Sequence, residues 1–166
     1  MAIASSVQEF LRQANVAYAV LPHPTAFSAQ EEAAATHVPG RNWAKTVVCF
    51  ADGEPLQAVV PADLEVDLPS LARLVRASTI RLATEDELRW LYPECDRGAV
   101  PPLGPLFKHR LVVDRTVAAE PGIVFNGGTH HDAIAMRYED FALIVHPVVG
   151  SFAMYRVSRR EPAECR

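Results

Sequence analysis

The chain has 166 residues, is 49% hydrophobic and carries a formal net charge of −4, which is the size and apolar content of one globular domain, here taken as residues 1–166. Its longest apolar runs, such as Val47 to Ala51 and Ala142 to Val145, fall far short of the roughly 20 residues a membrane-spanning helix needs. The acidic balance excludes a protein that coats DNA or RNA by bulk attraction, since phosphate binding relies on clustered Lys and Arg.

The segment Met1 to Ser6 has neither a basic stretch nor a long apolar one, so no secretory leader is expected. Cys49, Cys95 and Cys165 are three in number and widely spaced, which fits neither a disulfide framework nor a zinc site and suits a reducing cytoplasm. Of the 16 basic residues only Lys45 and Lys108 are lysines. A lysine in an arginine-using chain marks a place where a compact point charge suits better than a planar fork.

In chain order, Ser6 to Glu9 forms a capping box and Val7, Phe10, Leu11 and Ala14 recur at helical spacing, predicting a helix over residues 7–15. A strand is expected at 17–21. A second capping box, Ser28 to Glu31, opens a helix through the alanines to about Thr36, and Pro39-Gly40 closes it. The β-branched run Lys45 to Phe50, the Asp52-Gly53 turn and the run Leu56 to Val60 predict a hairpin with Lys45 at its entrance. Asp67, with Pro69 in the first turn, and Thr84 each open a further helix, with a short strand at Ile80 to Leu82 between them. Tyr92 to Pro105 holds four prolines and two glycines and reads as loop. Strands at 111–113, 123–126 and 133–136, a Gly127-Gly128 turn between the last two, and a helix at 138–144 complete the pattern. Helices and strands interleave without a regular βαβ period, so the fold class is a mixed α/β (α+β) core flanked by helices.

Taken together, these segments resemble the YbaK/ProX family of trans-editing aminoacyl-tRNA deacylases, also seen as the insertion domain of bacterial prolyl-tRNA synthetases. The resemblance extends over roughly residues 7–147. It is carried by His23 and Ser28, by Lys45 at a strand start, and by the Pro61-x-Asp63 exit of the hairpin. Arg81 to Glu87, the loop Gly98-x-x-x-Pro102 with Gly104, Asp114, Gly127 to His130, and Tyr138, Asp140 and Phe141 complete it. It implies a compact, barrel-like mixed sheet in which the lysine and the glycine loop face a common acyl pocket. It also implies a substrate, mischarged aminoacyl-tRNA, engaged at its acceptor end, with a synthetase as a further partner. Small amino acids such as alanine are the expected acyl groups.

Ester hydrolysis needs donors aimed at the developing oxyanion. In Gly98 to Gly104 the two prolines have no N–H, so the donors are the amides of Gly98, Ala99, Val100, Leu103 and Gly104; Pro102 would stiffen the loop, and outside a ligand site the same composition is an ordinary turn. Three roles fit Lys45: anchoring the terminal phosphate or ribose, holding the attacking water, or polarising the carbonyl. A solvated lysine at a strand end is the plain alternative. Thr46 would place a hydroxyl beside it. His130 and His131 face opposite ways in an extended segment, so at most one enters the pocket, and the family pattern favours His130; His23 would border the ribose site. No metal or cofactor is expected, because no Cys or carboxylate stands at ligand spacing beside the histidines. Two other readings stand beside deacylation: a non-catalytic module that binds tRNA ends or a synthetase, and a thiol hydrolase using Cys95 and His130. The flanking Glu94 and Asp96 argue against a Cys95 thiolate.

Overall fold

The computed structural model describes residues 3–26 and 28–156; Cys165 lies outside them. Ten strands and six α-helices follow in the order α1 (Ser5–Ala14), β1 (Ala19–Pro22), α2 (Ala29–Ala35), β2 (Ala44–Ala51), β3 (Glu54–Pro61), β4 (Leu64–Val66), α3 (Leu68–Val75), β5 (Ile80–Leu82) and α4 (Glu85–Leu91) among the described residues. After a long loop come β6 (Arg110–Asp114), α5 (Arg115–Ala118), β7 (Gly122–Asn126), β8 (Asp132–Arg137), α6 (Tyr138–Val145), β9 (Val148–Gly150) and β10 (Ala153–Tyr155). Short 3₁₀ turns occupy Gly40–Asn42 and Gly104–Phe107.

The strands form a five-stranded sheet in the order β5-β2-β3-β6-β9, a three-stranded sheet β1-β8-β7 and a pair β10-β4. The β2/β3 hairpin turns through Asp52 and Gly53, both at positive φ, as a two-residue hairpin loop requires. Beyond it β6 runs parallel to β3, and β9 parallel to β6, so the sheet is mixed. A parallel bridge between Trp43 and Val124 ties the large sheet to the three-stranded one.

Alternation along the strands sorts the core into two main layers. Leu56, Ala58 and Val60 of β3 pack with Cys49, Leu71 of α3 and Phe152 on one face. Val59 and Val113 pack on the other with Val7 and Leu11 of α1, with Phe125 and Ile134, and with Phe141 of α6. A smaller cluster of Val48, Tyr92 and Val100 seats the long loop against β2. Each fully buried aliphatic or aromatic side chain contributes about 1.5–3 kcal/mol relative to exposure, so the loop is held by the same force as the core.

Two capping boxes form as the sequence predicts: Ser28 Oγ accepts from Glu31 N at 3.1 Å and Thr84 Oγ1 from Glu87 N at 3.2 Å. The Ser6 box does not. Helix α1 starts at Ser5 behind Ala4 with no side-chain cap, because Ala4 N is drawn to the Gly127 carbonyl at 2.9 Å and tertiary packing sets the chain's entry. At Asp67 the carboxylate accepts from Ser70 Oγ and makes no cap bond to the backbone. The Gly127-Gly128 turn is the start of a five-residue connection, 127–131, between β7 and β8.

Candidate functional site

Lys45 is the second residue of β2 and faces β4 and the start of α2, on the side of Val47 and Cys49. Its ammonium donates to the Leu64 carbonyl at 2.7 Å and lies at a cavity of about 90 Å³ lined by Ser28, Gln30, Asp63, Glu65 and Arg156 among others. That volume holds a few waters or a small acyl group and no nucleoside. Burial lowers the Lys45 pKa; Arg156 pushes the same way, against the opposing charges of Glu65 and Asp63.

Thr46 faces the opposite side, toward the long loop, and its Oγ1 is buried with no hydrogen-bond partner among the described residues. Val48, two positions on, packs against Val100 of that loop. The expected common pocket for lysine and loop is therefore divided by β2: the residues lining the Lys45 cavity include none from 98–104. The physical reason is the two-residue period of the strand, which sends Lys45 and Val48 to opposite faces.

The loop has two halves. Its second half is built into the core: Leu103 is fully buried, Pro102 is buried, and a Cβ on Gly104 would stand 2.7 Å from the His109 carbonyl oxygen. Gln57, inside the sheet, donates to the Pro101 carbonyl at 3.3 Å and to the Tyr92 hydroxyl at 3.4 Å. The first half meets solvent at Gly98, which sits at φ 78°, a conformation that side-chain-bearing residues adopt only at a cost. Two of the five candidate amides are engaged within the loop, Ala99 N with the Asp96 carbonyl at 3.0 Å and Leu103 N with the Pro101 carbonyl at 2.8 Å. Ala99 itself is fully buried.

Four bonds lace this first half to the segment 126–130: Asp96 N to the Gly128 carbonyl at 2.8 Å, His130 N to Asp96 Oδ2 at 3.2 Å, Asn126 Nδ2 to the Gly98 carbonyl at 3.5 Å, and His130 Nε2 to the Arg97 carbonyl. His130 is buried, and its Nδ1 meets Glu32 Oε1 of α2 at 3.0 Å. His131 is exposed and its Nδ1 pairs with Thr25 Oγ1 at 3.1 Å. His23 is buried, donates from Nδ1 to the Pro24 carbonyl at 2.8 Å, and stands edge-on to Trp43. Burial drives the Cys95 thiol up to about 12, with Glu94 and Asp96 adding to it. Burial holds Cys49 at about 11. Neither thiol ionises near neutrality.

A family model described as the aminoacyl-tRNA editing domain matches residues 23–143. The chain belongs to that family. His23, Lys45, Thr46, the Gly98 to Gly104 loop and His130 all lie inside the matched span. The editing domain is similar to a proline–tRNA ligase of Nitratidesulfovibrio vulgaris (strain Hildenborough), 29% identical over 143 residues, or 80% of this chain and 25% of the ligase. A proline–tRNA ligase of Oleidesulfovibrio alaskensis is 35% identical over 66 residues, 40% of this chain and 12% of the ligase. The chain thus spans a quarter or less of the curated relatives it matches. Its fold is shared with a solved structure described as a candidate trans-editing enzyme for prolyl tRNA synthetase, with a TM-score of 0.80, 23% identity and coverage of 91% of this chain and 96% of that one. A hypothetical protein of known structure has a TM-score of 0.81 at 22% identity, covering 90% of this chain and 100% of that one.

Two residues of the editing domain escape a reading of the sequence. Glu32 looks like one more polar residue of an alanine-rich helix, yet it is fully buried against a histidine 98 positions away. Asn126 ends an apolar strand, and nothing in its neighbourhood announces the bond to Gly98. Among the described residues no helix is long and apolar enough to cross a membrane.

Proposed function

We propose that the protein hydrolyses the ester of mischarged aminoacyl-tRNA in trans, releasing a small amino acid such as alanine from the acceptor end without a metal. Water adds to the ester carbonyl carbon, and the carbonyl oxygen, as it becomes an oxyanion, accepts a hydrogen bond from the Gly98 loop. The tetrahedral species then expels the terminal ribose oxygen, which takes up a proton, leaving free amino acid and uncharged tRNA. Val100, on the same loop, is the second amide donor in this reading.

The observation that carries the reading is the state of the loop inside a chain of the editing family: its back half is locked in the core, and Gly98 stands exposed at positive φ. That is the preorganisation an oxyanion site requires, because donors fixed in advance need no reorganisation at the moment of reaction. Lys45, on the other side of β2, positions the substrate from the strand's entrance, with His23 and Thr46 bordering it. The relatives named as proline–tRNA ligases point to tRNA for proline as the nucleic-acid half of the substrate and to a synthetase as a transient partner.

The test is deacylation by the purified protein across a panel of tRNAs charged with cognate and non-cognate amino acids. Rapid loss of alanine from tRNA for proline, with prolyl ester spared, is expected. Tight binding of charged tRNA with no ester loss would make the protein a binding module instead.

A further inference from the structure

The Arg97 carbonyl is an acceptor only, so the His130 Nε2 that meets it carries a hydrogen. The other ring nitrogen faces Glu32 Oε1 at 3.0 Å, and that contact needs one proton between the two atoms. Either a neutral Glu32 donates to Nδ1, or a charged imidazolium donates to a carboxylate; both arrangements keep the ring in the same plane. Glu32 is fully buried and His130 nearly so, and for groups so placed a missing partner is costly.

The consequence lies one bond further on. The Arg97 carbonyl and the Gly98 N–H belong to one peptide unit, there are no cis peptides among the described residues, and in a planar trans peptide the two point in opposite directions. A ring that holds the carbonyl therefore aims the Gly98 N–H away from His130, and drawing on the carbonyl makes the N–H a better donor. The neighbouring peptide is held in the same way, with the Gly98 carbonyl receiving Asn126 Nδ2 and Ala99 N bonded to the Asp96 carbonyl.

We infer that Glu32 is a positioning residue: through the His130 ring and the Arg97 carbonyl it fixes the direction of the Gly98 amide. This rests on the reading of Gly98 as the oxyanion donor. Burial raises the Glu32 pKa, while hydrogen bonds from His130 and Asn126 and the charges of His130 and His23 oppose it. Asp96 of the loop also faces the pair, its carboxylate accepting from His130 N. Without the proton between Glu32 and Nδ1 a carboxylate would stand against the Nδ1 lone pair, and nothing would hold the ring to Glu32.

Two variants and two readouts decide the matter. Glu32→Ala leaves Nδ1 without its partner; Glu32→Gln can donate to Nδ1 through an amide that does not titrate. The Gly98 amide resonance of the folded, ¹⁵N-labelled protein is expected to move in Glu32→Ala and to return close to its wild-type position in Glu32→Gln. In single-turnover deacylation Glu32→Ala loses about 100-fold, as a misplacement of about 1 Å costs. Glu32→Gln retains most of the rate. A Gly98 resonance unchanged in folded Glu32→Ala, or a Glu32→Gln protein whose resonance and rate match those of Glu32→Ala, overturns the inference. If the wild-type protein deacylates nothing, the functional reading fails, and the resonance still decides whether Glu32 aims the amide.

Discussion

Lys45 and Thr46 are consecutive on β2 and face opposite sides of the five-stranded sheet, the lysine reaching the Leu64 carbonyl of β4 and the threonine burying, toward the glycine loop, a hydroxyl with no hydrogen-bond partner among the described residues. A substrate that engages both the lysine and the loop must pass round the start of the strand. In the proposed mechanism this separates the work of the two: the loop would meet the reacting carbonyl, and Lys45 would hold another part of the substrate.

Replacing Lys45 with alanine is expected to lower kcat/KM for deacylation by about 100-fold or more, and Lys45→Arg is expected not to restore it, because a planar guanidinium does not reproduce a compact ammonium. Steady-state kinetics on the charged tRNA measure both. Near wild-type kcat/KM in Lys45→Ala would remove the lysine from the site.

Chelators are expected to leave the rate unchanged, and Cys95→Ser to be nearly silent. The Cys95 thiol, at about 12 through burial and its acidic neighbours, has a vanishing thiolate fraction at neutral pH. Loss of activity in EDTA that zinc restores would refute the first statement. A folded but inactive Cys95→Ser protein would revive the thiol-hydrolase reading.

Asp114 offers a stability test remote from the site. Its burial works to raise the pKa, but Thr116 Oγ1 and the amides of Phe152, Thr116 and Ala153 all donate to the carboxylate, and the net shift is downward. A carboxyl depressed on folding stabilises the protein above its unfolded pKa, and that contribution is lost as pH falls through the folded value. Asp114→Asn is expected to cost about 1.5–3 kcal/mol at neutral pH, the worth of a hydrogen bond to a charged group, with the gap to wild type closing toward acid pH. Denaturant unfolding at several pH values measures it, and a gap that is flat or widens in acid contradicts the assignment.

The fold was legible where a local signal had enough residues to repeat itself. The β2/β3 hairpin, α2 behind Ser28 and α4 behind Thr84 each combine a periodic run with turn or cap chemistry, and each stands where the sequence places it. The three-residue strands β4, β9 and β10 and the four-residue α5 are too short for a period and exist only because neighbours offer them a sheet edge or a core. The site divides in the same way. Lys45 and Gly98 are visible as an isolated lysine and a glycine in a proline-rich loop, but the Glu32 to His130 contact joins residues 98 positions apart and only the assembled fold reveals it.

Gly98→Val tests the central claim most directly, measured as single-turnover deacylation at saturating protein with thermal unfolding alongside. If the Gly98 amide donates to the oxyanion, a valine that leaves the positive φ turns this N–H away, and the rate per folded molecule falls by a factor corresponding to about 2.7–4 kcal/mol, the worth of one such donor. The accompanying stability loss would be smaller, about 1–2 kcal/mol for a side chain forced to positive φ. A folded Gly98→Val protein that turns over at the wild-type single-turnover rate would contradict the account.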